Sequence, residues 1–499
     1  MSFVQQANTE VPKNSASHTG SPNGKSGSGS FDAAPTGARS SQAISTRRGR
    51  SITLTALLAS ALMLTACSST GTLPAPGGSS STSPASTATP SGTVTPQGAA
   101  TAEPASTATP SAEKIASNPE NGAAPSAEKG AEPQSNGPDV TITIAATGDM
   151  LPHGPLAKAA RRSDGSVHLL DRTVGLKPYI SGADLALCHL EVPFATSDQK
   201  IQDFPKFAGP PSLIEDLKDF GYDGCSTASN HTWDQGEAGA ERTVTMMQDA
   251  GLGVAGTNLT PEHQPYQMYV LNRGGRDIKI AHLSLTYGHN SWPISQLQRE
   301  PWRVNINDLD RTIENAHKAR QAGADLVIVS MHTGVEWQAE PSHDQQAWPK
   351  RLAESGAADL VIGHHPHVTQ QAGKVEVPGR TAPVWAFYGL GNLISAQVAS
   401  QGVLTQSGVV GIATLTLNGK NQVIASSAAW EPVVLDRAGL RLYTASALEN
   451  GAGDGPKPAT AGATMRKYLQ AARQSVNGTM PEVSAPPKSS GPAPTVLKR

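Results

Sequence analysis

Cysteine is scarce in this sequence, with three residues in 499. That excludes a disulfide-dense scaffold and any zinc site built on four thiolates. Charge is modest and balanced: 39 Lys and Arg against 41 Asp and Glu give a net charge of −2. No block of Lys and Arg is long enough to make a nucleic-acid face, so no nucleic-acid partner is expected. Aromatic residues are only 4% of the chain and are almost missing before Asp139. That stretch, dominated by Ser, Thr, Ala, Pro and Gly, cannot bury enough apolar surface to offset its ordering entropy. A Walker-type Gly-rich lysine loop is also missing, which argues against an ATP-using ligase.

What is present divides the chain into four parts. Residues 1–67 form an N-terminal extension that ends in an export signal. Arg47, Arg48 and Arg50 precede the apolar run "SITLTALLASALMLTAC", which closes on small residues and Cys67. The run is shorter than the roughly 20 residues of a spanning helix, and its basic flank suits a signal peptide. "LTAC" (Leu64–Cys67) looks like a bacterial lipobox, in which the cysteine takes a diacylglyceryl group; an uncleaved anchor is the alternative. Both place the protein on the extracytoplasmic face of the cell membrane, attached through that anchor. Residues 68–138 read as a disordered Ser/Thr/Pro/Ala/Gly-rich tether. Residues 139–447 hold the folded domain, and 448–499 read as a low-complexity tail with a short helix around Met465–Arg473. The two remaining cysteines, Cys188 and Cys225, sit at strand ends. An oxidising compartment allows a disulfide between them. Spacing alone does not establish proximity, so they read as two buried free thiols.

Within the domain, "VTITIAATGD" (Val140–Asp149), "ADLALCHLE" (Ala183–Glu191), "YDGCSTASNH" (Tyr222–His231), "ADLVIVSMH" (Ala324–His332) and "ADLVIGHH" (Ala358–His365) share one design. Each is a short apolar run followed at once by His, Asp, Asn or Glu. Amphipathic stretches such as "PSLIEDLKDFG" and "NDLDRTIENAHKARQAG" alternate with them, which predicts an α/β fold with a largely parallel sheet. Later strands without intervening helices predict a mixed or second sheet. Ligands bind where the carboxyl ends of parallel strands converge. The candidates there are Asp149, Glu191, Asn230, His231, His332, His364, His365 and His367. Singly, each has a plain structural reading as a cap, turn or core residue; together, at five strand ends, they point to a site. Imidazoles, carboxylates and one amide without thiolate suit Mn, Fe, Zn or Mg. The ligands are too many for one tetrahedral ion and about enough for two, an arrangement that clamps phosphate and generates hydroxide.

The pieces "TGDMLPHG", "ADLALCHLEVPF", "ASNHTWDQG", "GVAGTN", "MHTGVEW", "GHHPHV" and "FYGLGNLIS" resemble, in order, the CapA-type poly-γ-glutamate capsule synthesis proteins of the calcineurin-like metallophosphoesterase superfamily. The resemblance implies a two-sheet αββα sandwich flanked by helices, with a metal centre across the strand ends. It makes Asp149, Glu191, Asn230, His332, His365 and His367 metal ligands. It places His231 near the substrate's leaving oxygen, leaves His364 behind the ligands, and offers Asp234 and Glu336 as acids that orient histidines. Two departures stand out. Leu151 occupies a position where the superfamily has histidine, with His153 as a substitute, and His189 replaces an asparagine and is a further candidate ligand.

Three functions follow from this reading. The first is a membrane-attached subunit in synthesis or export of a capsular polymer, poly-γ-glutamate by resemblance, working with membrane subunits of capsule synthesis. The second is an extracellular metal-dependent phosphoesterase. The third is a binding module whose metal site has decayed.

Overall fold

The strands form because apolar residues alternate along them and are covered on both faces. In Val140–Met150, Ile142, Ile144 and Ala146 turn to one core, whereas Ala145 and Met150 turn to another. The structure, a computed structural model, describes residues 137–290, 299–483 and 485–499. The extension 1–67 with its lipobox Cys67, and the tether as far as residue 136, lie outside the described residues.

In chain order the strands are β1 (Val140–Met150), β2 (Thr173–Val174), β3 (Leu185–Leu190), β4 (Gly224–Ser226), β5 (Gly253–Ala255), β6 (Gln267–Arg273), β7 (Arg276–Thr286) and β8 (Leu326–His332). They continue with β9 (Leu360–His364), β10 (Ala372–Val375), β11 (Val384–Phe387), β12 (Asn392–Ile394), β13 (Ser407–Leu417), β14 (Val423–Asp436), β15 (Arg441–Thr444) and β16 (Thr495–Val496). One sheet runs β2-β15-β14-β13-β1-β3-β4-β5, with β12 paired to the end of β1; the other runs β10-β11-β9-β8-β7-β6-β16. Both are mixed. β1, β3, β4 and β5 are mutually parallel, as are β7, β8, β9 and β11, whereas β13 pairs antiparallel with both β1 and β14.

The sheets face each other across a core that includes Ile142, Ile144, Leu187, Tyr269, Ile280, Ile328 and Ile362. Helices Leu213–Phe220 and Gly236–Asp249 cover the outer face of the first sheet through Leu217 and Val244. Helices Leu309–Gln321 and His343–Glu354 cover the outer face of the second through Ala316 and Leu352. This is the αββα sandwich that the family resemblance implies. Helix His343–Glu354 starts at Ser342, where Ser342 and Gln345 form a reciprocal capping box. Pro349 therefore lies inside that helix rather than at its start.

Two expectations are corrected. Cys188 and Cys225 are not free thiols: they face each other in the parallel β3–β4 register and form a disulfide. The chain after residue 447 is also part of the fold. Helix Gly462–Val476 buries Met465, Tyr468, Leu469, Ala472 and Val476, so it extends beyond the short helix expected there. Beyond it the tail is held by backbone pairing, between Trp430 and Glu482 and between β16 and β6. Ser489 and Ser490 donate to Asp184 Oδ1, which also receives the Arg273 guanidinium. Composition hid this because main-chain hydrogen bonds need no apolar side chains.

No helix among the described residues is long and apolar enough to cross a membrane.

Candidate metal centre

Parallel register delivers the site residues in rows. In the first sheet Asp149, His189 and Ser226 are neighbours across β1, β3 and β4, and Asn392 flanks Asp149 from β12. In the second sheet Thr286, His332 and His364 are neighbours across β7, β8 and β9. The rows meet at the carboxyl ends of their strands, where substrate and metal sites of parallel sheets form. Gly148 permits the close approach of β12, since a Cβ there would come within 2.1 Å of the Gly391 carbonyl oxygen. After β9 the chain turns through His365 at φ 94° and His367 at φ 57°. Non-glycine residues in this region are strained, and such strain concentrates at functional sites.

Three overlapping triads have ligand atoms within 4.8 Å of one another: Asp149/His189/His332, Asp149/Glu191/His367 and Glu336/His365/His367. Sharing Asp149 and His367 makes them one centre. The amide of Asn230 joins it, with Oδ1 2.9 Å from His332 Nε2. Glu191 is fully buried, yet neither of its oxygens accepts a hydrogen bond from a described residue. Asp149 Oδ1 and His364 Nδ1 are buried and face each other at 3.2 Å, and His365 Nδ1 is buried without a hydrogen bond from a described residue. Buried polar atoms are nearly always satisfied, so the bare Glu191 oxygens and His365 Nδ1 in one cluster suit a cation that would complete them. The donor set therefore fits divalent metal.

Electrostatics point the same way. Burial pushes the Glu191 carboxyl up to about 7. Burial also works against charge on Asp149, but its contacts with His364 and His367 win and hold it well below the usual carboxylate range. His367 is pushed up to about 10: burial opposes its charge, and Glu191 and Asp149 outweigh burial. His367 thus carries its charge between the two carboxylates, with Nδ1 3.1 Å from Asp149 Oδ2 and Nε2 3.5 Å from Glu191 Oε1. Burial drives His365 down to about 3 and His332 well down too, leaving both neutral and able to ligate.

Several residues hold others in place. His231 Nδ1 lies 2.6 Å from Asp234 Oδ2, an oxygen that also accepts from the Phe207 N–H. Burial opposes charge on His231, but that contact and the nearby Glu191 raise its pKa. His189 joins a triad, but both of its nitrogens are engaged: Nδ1 with Ser226 Oγ at 2.8 Å and Nε2 with His332 Nδ1 at 2.9 Å. It fixes the ring of His332, whose Nε2 faces Asn230. His364 stacks on His189 at 4.1 Å and lies 3.2 Å from Asp149 Oδ1, behind the centre. Glu336 belongs to a triad with His365 and His367, so it stands beside these histidines among the groups that could hold a cation. His153 belongs to none of the triads. Its Nδ1 lies 2.9 Å from Leu151 O, so that nitrogen is turned to the backbone.

Sequence reasoning missed three residues. Asn392 Oδ1 accepts from His367 Nδ1 at 3.1 Å, while its amide donates to His367 O and Thr405 O. An amide inside the apolar "GLGNLIS" was the available signal. Ser226 gave none, since a serine in a short strand is ordinary. Tyr287, whose ring lies 4.4 Å from His365, follows a strand end without any ligand-type residue.

The family described as "Bacterial capsule synthesis protein PGA_cap" matches residues 143–397. "Capsule biosynthesis protein CapA" of Bacillus anthracis is 27% identical over 228 residues, 44% of this chain and 53% of that protein. "PGA biosynthesis protein CapA" of Bacillus subtilis is 27% identical over 184 residues, 37% of this chain and 45% of that protein. The chain thus spans about half the length of the curated relatives it matches. Among solved structures, the calcineurin-like phosphoesterase YfkN from Bacillus subtilis is similar at 14% identity and a TM-score of 0.33, covering 68% of this chain and 100% of that one. The matched segment contains Asp149, Glu191, Asn230, His231, His332, His365 and His367, and the chain belongs to the bacterial capsule synthesis protein family PGA_cap.

Proposed function

We propose that this protein is a membrane-attached, extracytoplasmic subunit in the synthesis or export of a capsular polymer, and that it carries a two-metal centre with phosphoesterase-type chemistry. The observation that carries the reading is Glu191, a fully buried carboxylate with no hydrogen-bonding partner among the described residues, set among imidazoles. Asp149, Glu191, Asn230, His332, His365, His367 and Glu336 would hold the ions. When bound, such ions polarise a phosphoryl oxygen and supply a nucleophile near neutral pH. His231 is held by Asp234 so that its other nitrogen, Nε2, is presented as a proton donor or carrier. His189 and Asn392 fix the rings of His332 and His367.

Family membership supports the capsular role, and poly-γ-glutamate is the polymer proposed. The Cys188–Cys225 disulfide supports an oxidising, extracytoplasmic location. The lipobox reading of Cys67 supports the anchor; a Cys67→Ala protein that still partitions with membranes would refute it. Membrane subunits of capsule synthesis are the proposed partners, since no sequence feature here activates glutamate.

Deletion of the gene should remove surface polyglutamate, with rescue by wild type but not by Glu191→Ala. Rescue by Glu191→Ala would show that the centre is dispensable. A free-standing extracellular phosphoesterase is the second reading, favoured by the His231–Asp234 pair at 2.6 Å. Phosphodiester hydrolysis that vanishes in His231→Ala, without loss of polymer on deletion, would select it. The decayed-site reading sits poorly with candidate ligands that converge on one point.

A further inference from the structure

The large apolar side chains exposed among the described residues are Phe204, Tyr287, Val335, Trp337, Val398 and Leu497. Single exposed apolar residues are ordinary on any protein surface. Five of these six, however, connect to the metal centre. Phe204, 78% exposed, meets Phe207 edge-on at 6.5 Å, and Phe207 meets His231 at 4.9 Å. Tyr287 lies against His365, with ring centroids 4.4 Å apart. Val335 and Trp337 flank Glu336, and the Trp337 N–H donates to the carbonyl of Pro366, between His365 and His367, at 2.7 Å. Val398 follows Gln397, whose Oε1 accepts from Asn392. Two segments, Val335–Trp337 and Gln397–Val398, each pair a polar residue at or next to the centre with an exposed apolar neighbour, while Tyr287 touches His365 directly and Phe204 reaches His231 through Phe207.

We infer that these side chains form an apolar collar at the mouth of the metal centre, and that the ligand is an amphiphile: a phosphate ester carrying a hydrocarbon chain. This rests on the metal-centre reading above and narrows its substrate class. The cations and imidazoles take the phosphate head, and whatever substituent adjoins that head lies against the collar. A polyanion such as polyglutamate would press carboxylates onto Phe204, Trp337 and Val398, where they lose hydration without gaining partners. A hydrocarbon substituent gains about fourfold in affinity for each methylene it buries there. The collar therefore selects against the polymer itself and in favour of a lipid-like phosphoester.

The test is calorimetric titration of the full chain, loaded with Mn²⁺, with inorganic phosphate and with octyl phosphate below its aggregation concentration. Octyl phosphate should bind about tenfold or more tighter than inorganic phosphate. The double variant Phe204→Ala/Trp337→Ala should lose most of that advantage while binding inorganic phosphate as wild type does. Equal affinities for the two ligands in wild type would overturn the collar, leaving the exposed side chains to a protein partner and the metal centre's anion binding intact. An advantage that survives in the double variant would overturn it too. If neither ligand binds the metal-loaded chain, the phosphoester reading and this inference fall together.

Discussion

Glu191 Oε1 lies 3.5 Å from His367 Nε2, and neither oxygen of that carboxylate accepts a hydrogen bond from a described residue. A buried charge in that setting is costly unless a cation compensates it. Glu191→Gln keeps the shape and removes the charge, so its effect should change sign with metal. In the presence of a chelator the variant should be more stable than wild type, by about 1–3 kcal/mol. With metal supplied, the variant should gain less stability than wild type. Chemical denaturation with and without chelator reads both; equal stability in all four conditions would remove Glu191 from the ligand set.

Asp234 holds His231 through a 2.6 Å contact to Nδ1. Asp234→Asn should lower phosphodiester hydrolysis by roughly 10²–10⁴, the usual worth of a positioned acid or base. Metal content should stay at the wild-type level, because neither residue belongs to the ligand triads. Parallel loss of metal would instead give the pair a structural role.

Asn392 grips His367 at both its ring and its carbonyl oxygen. Because His367 sits at φ 57°, its orientation depends on such partners. Asn392→Ala should weaken metal affinity by about 10–100-fold, the typical cost of losing a residue that orients a ligand. Competition with a fluorescent chelator measures this, and unchanged affinity would show that the loop holds His367 unaided.

The strand pattern is legible in the sequence because buried parallel strands read as short apolar runs. The ligand residues at their ends, from Asp149 to His367, are legible for the same reason: each interrupts or closes such a run. The roles of His189 and Glu336 are not legible, since they depend on which atoms meet across two sheets. Glu336 follows a strand end by four residues, and only the turn after β8 brings it to His365 and His367. The Cys188–Cys225 disulfide is equally hidden, because strand order rather than spacing makes the two cysteines neighbours. The C-terminal tail misleads for a different reason: proline, serine and glycine suggest disorder, yet β16 and Ser490 bind through backbone and hydroxyl groups.

Away from the centre, Asp223 makes folding depend on pH. Burial raises its carboxyl to about 7, against the opposing hydrogen bond from the Ala186 N–H. Its pKa in the unfolded chain is about 3.9. Between those values the folded state binds more protons than the unfolded state, so this residue's contribution to stability falls as pH rises. It is fully present below about pH 4 and lost through about pH 7. Asp223→Asn should flatten that decline in a series of thermal melts. A wild-type slope that persists in the variant would assign the dependence to other groups.

The most direct test of the central claim is elemental analysis of the full chain after reconstitution with Mn, Fe, Zn or Mg and removal of free metal. Two ions per chain should be found, falling to one or none in Asp149→Ala, because Asp149 belongs to two of the three triads. A folded chain that retains no ion under any of these conditions would contradict a metal centre at these strand ends.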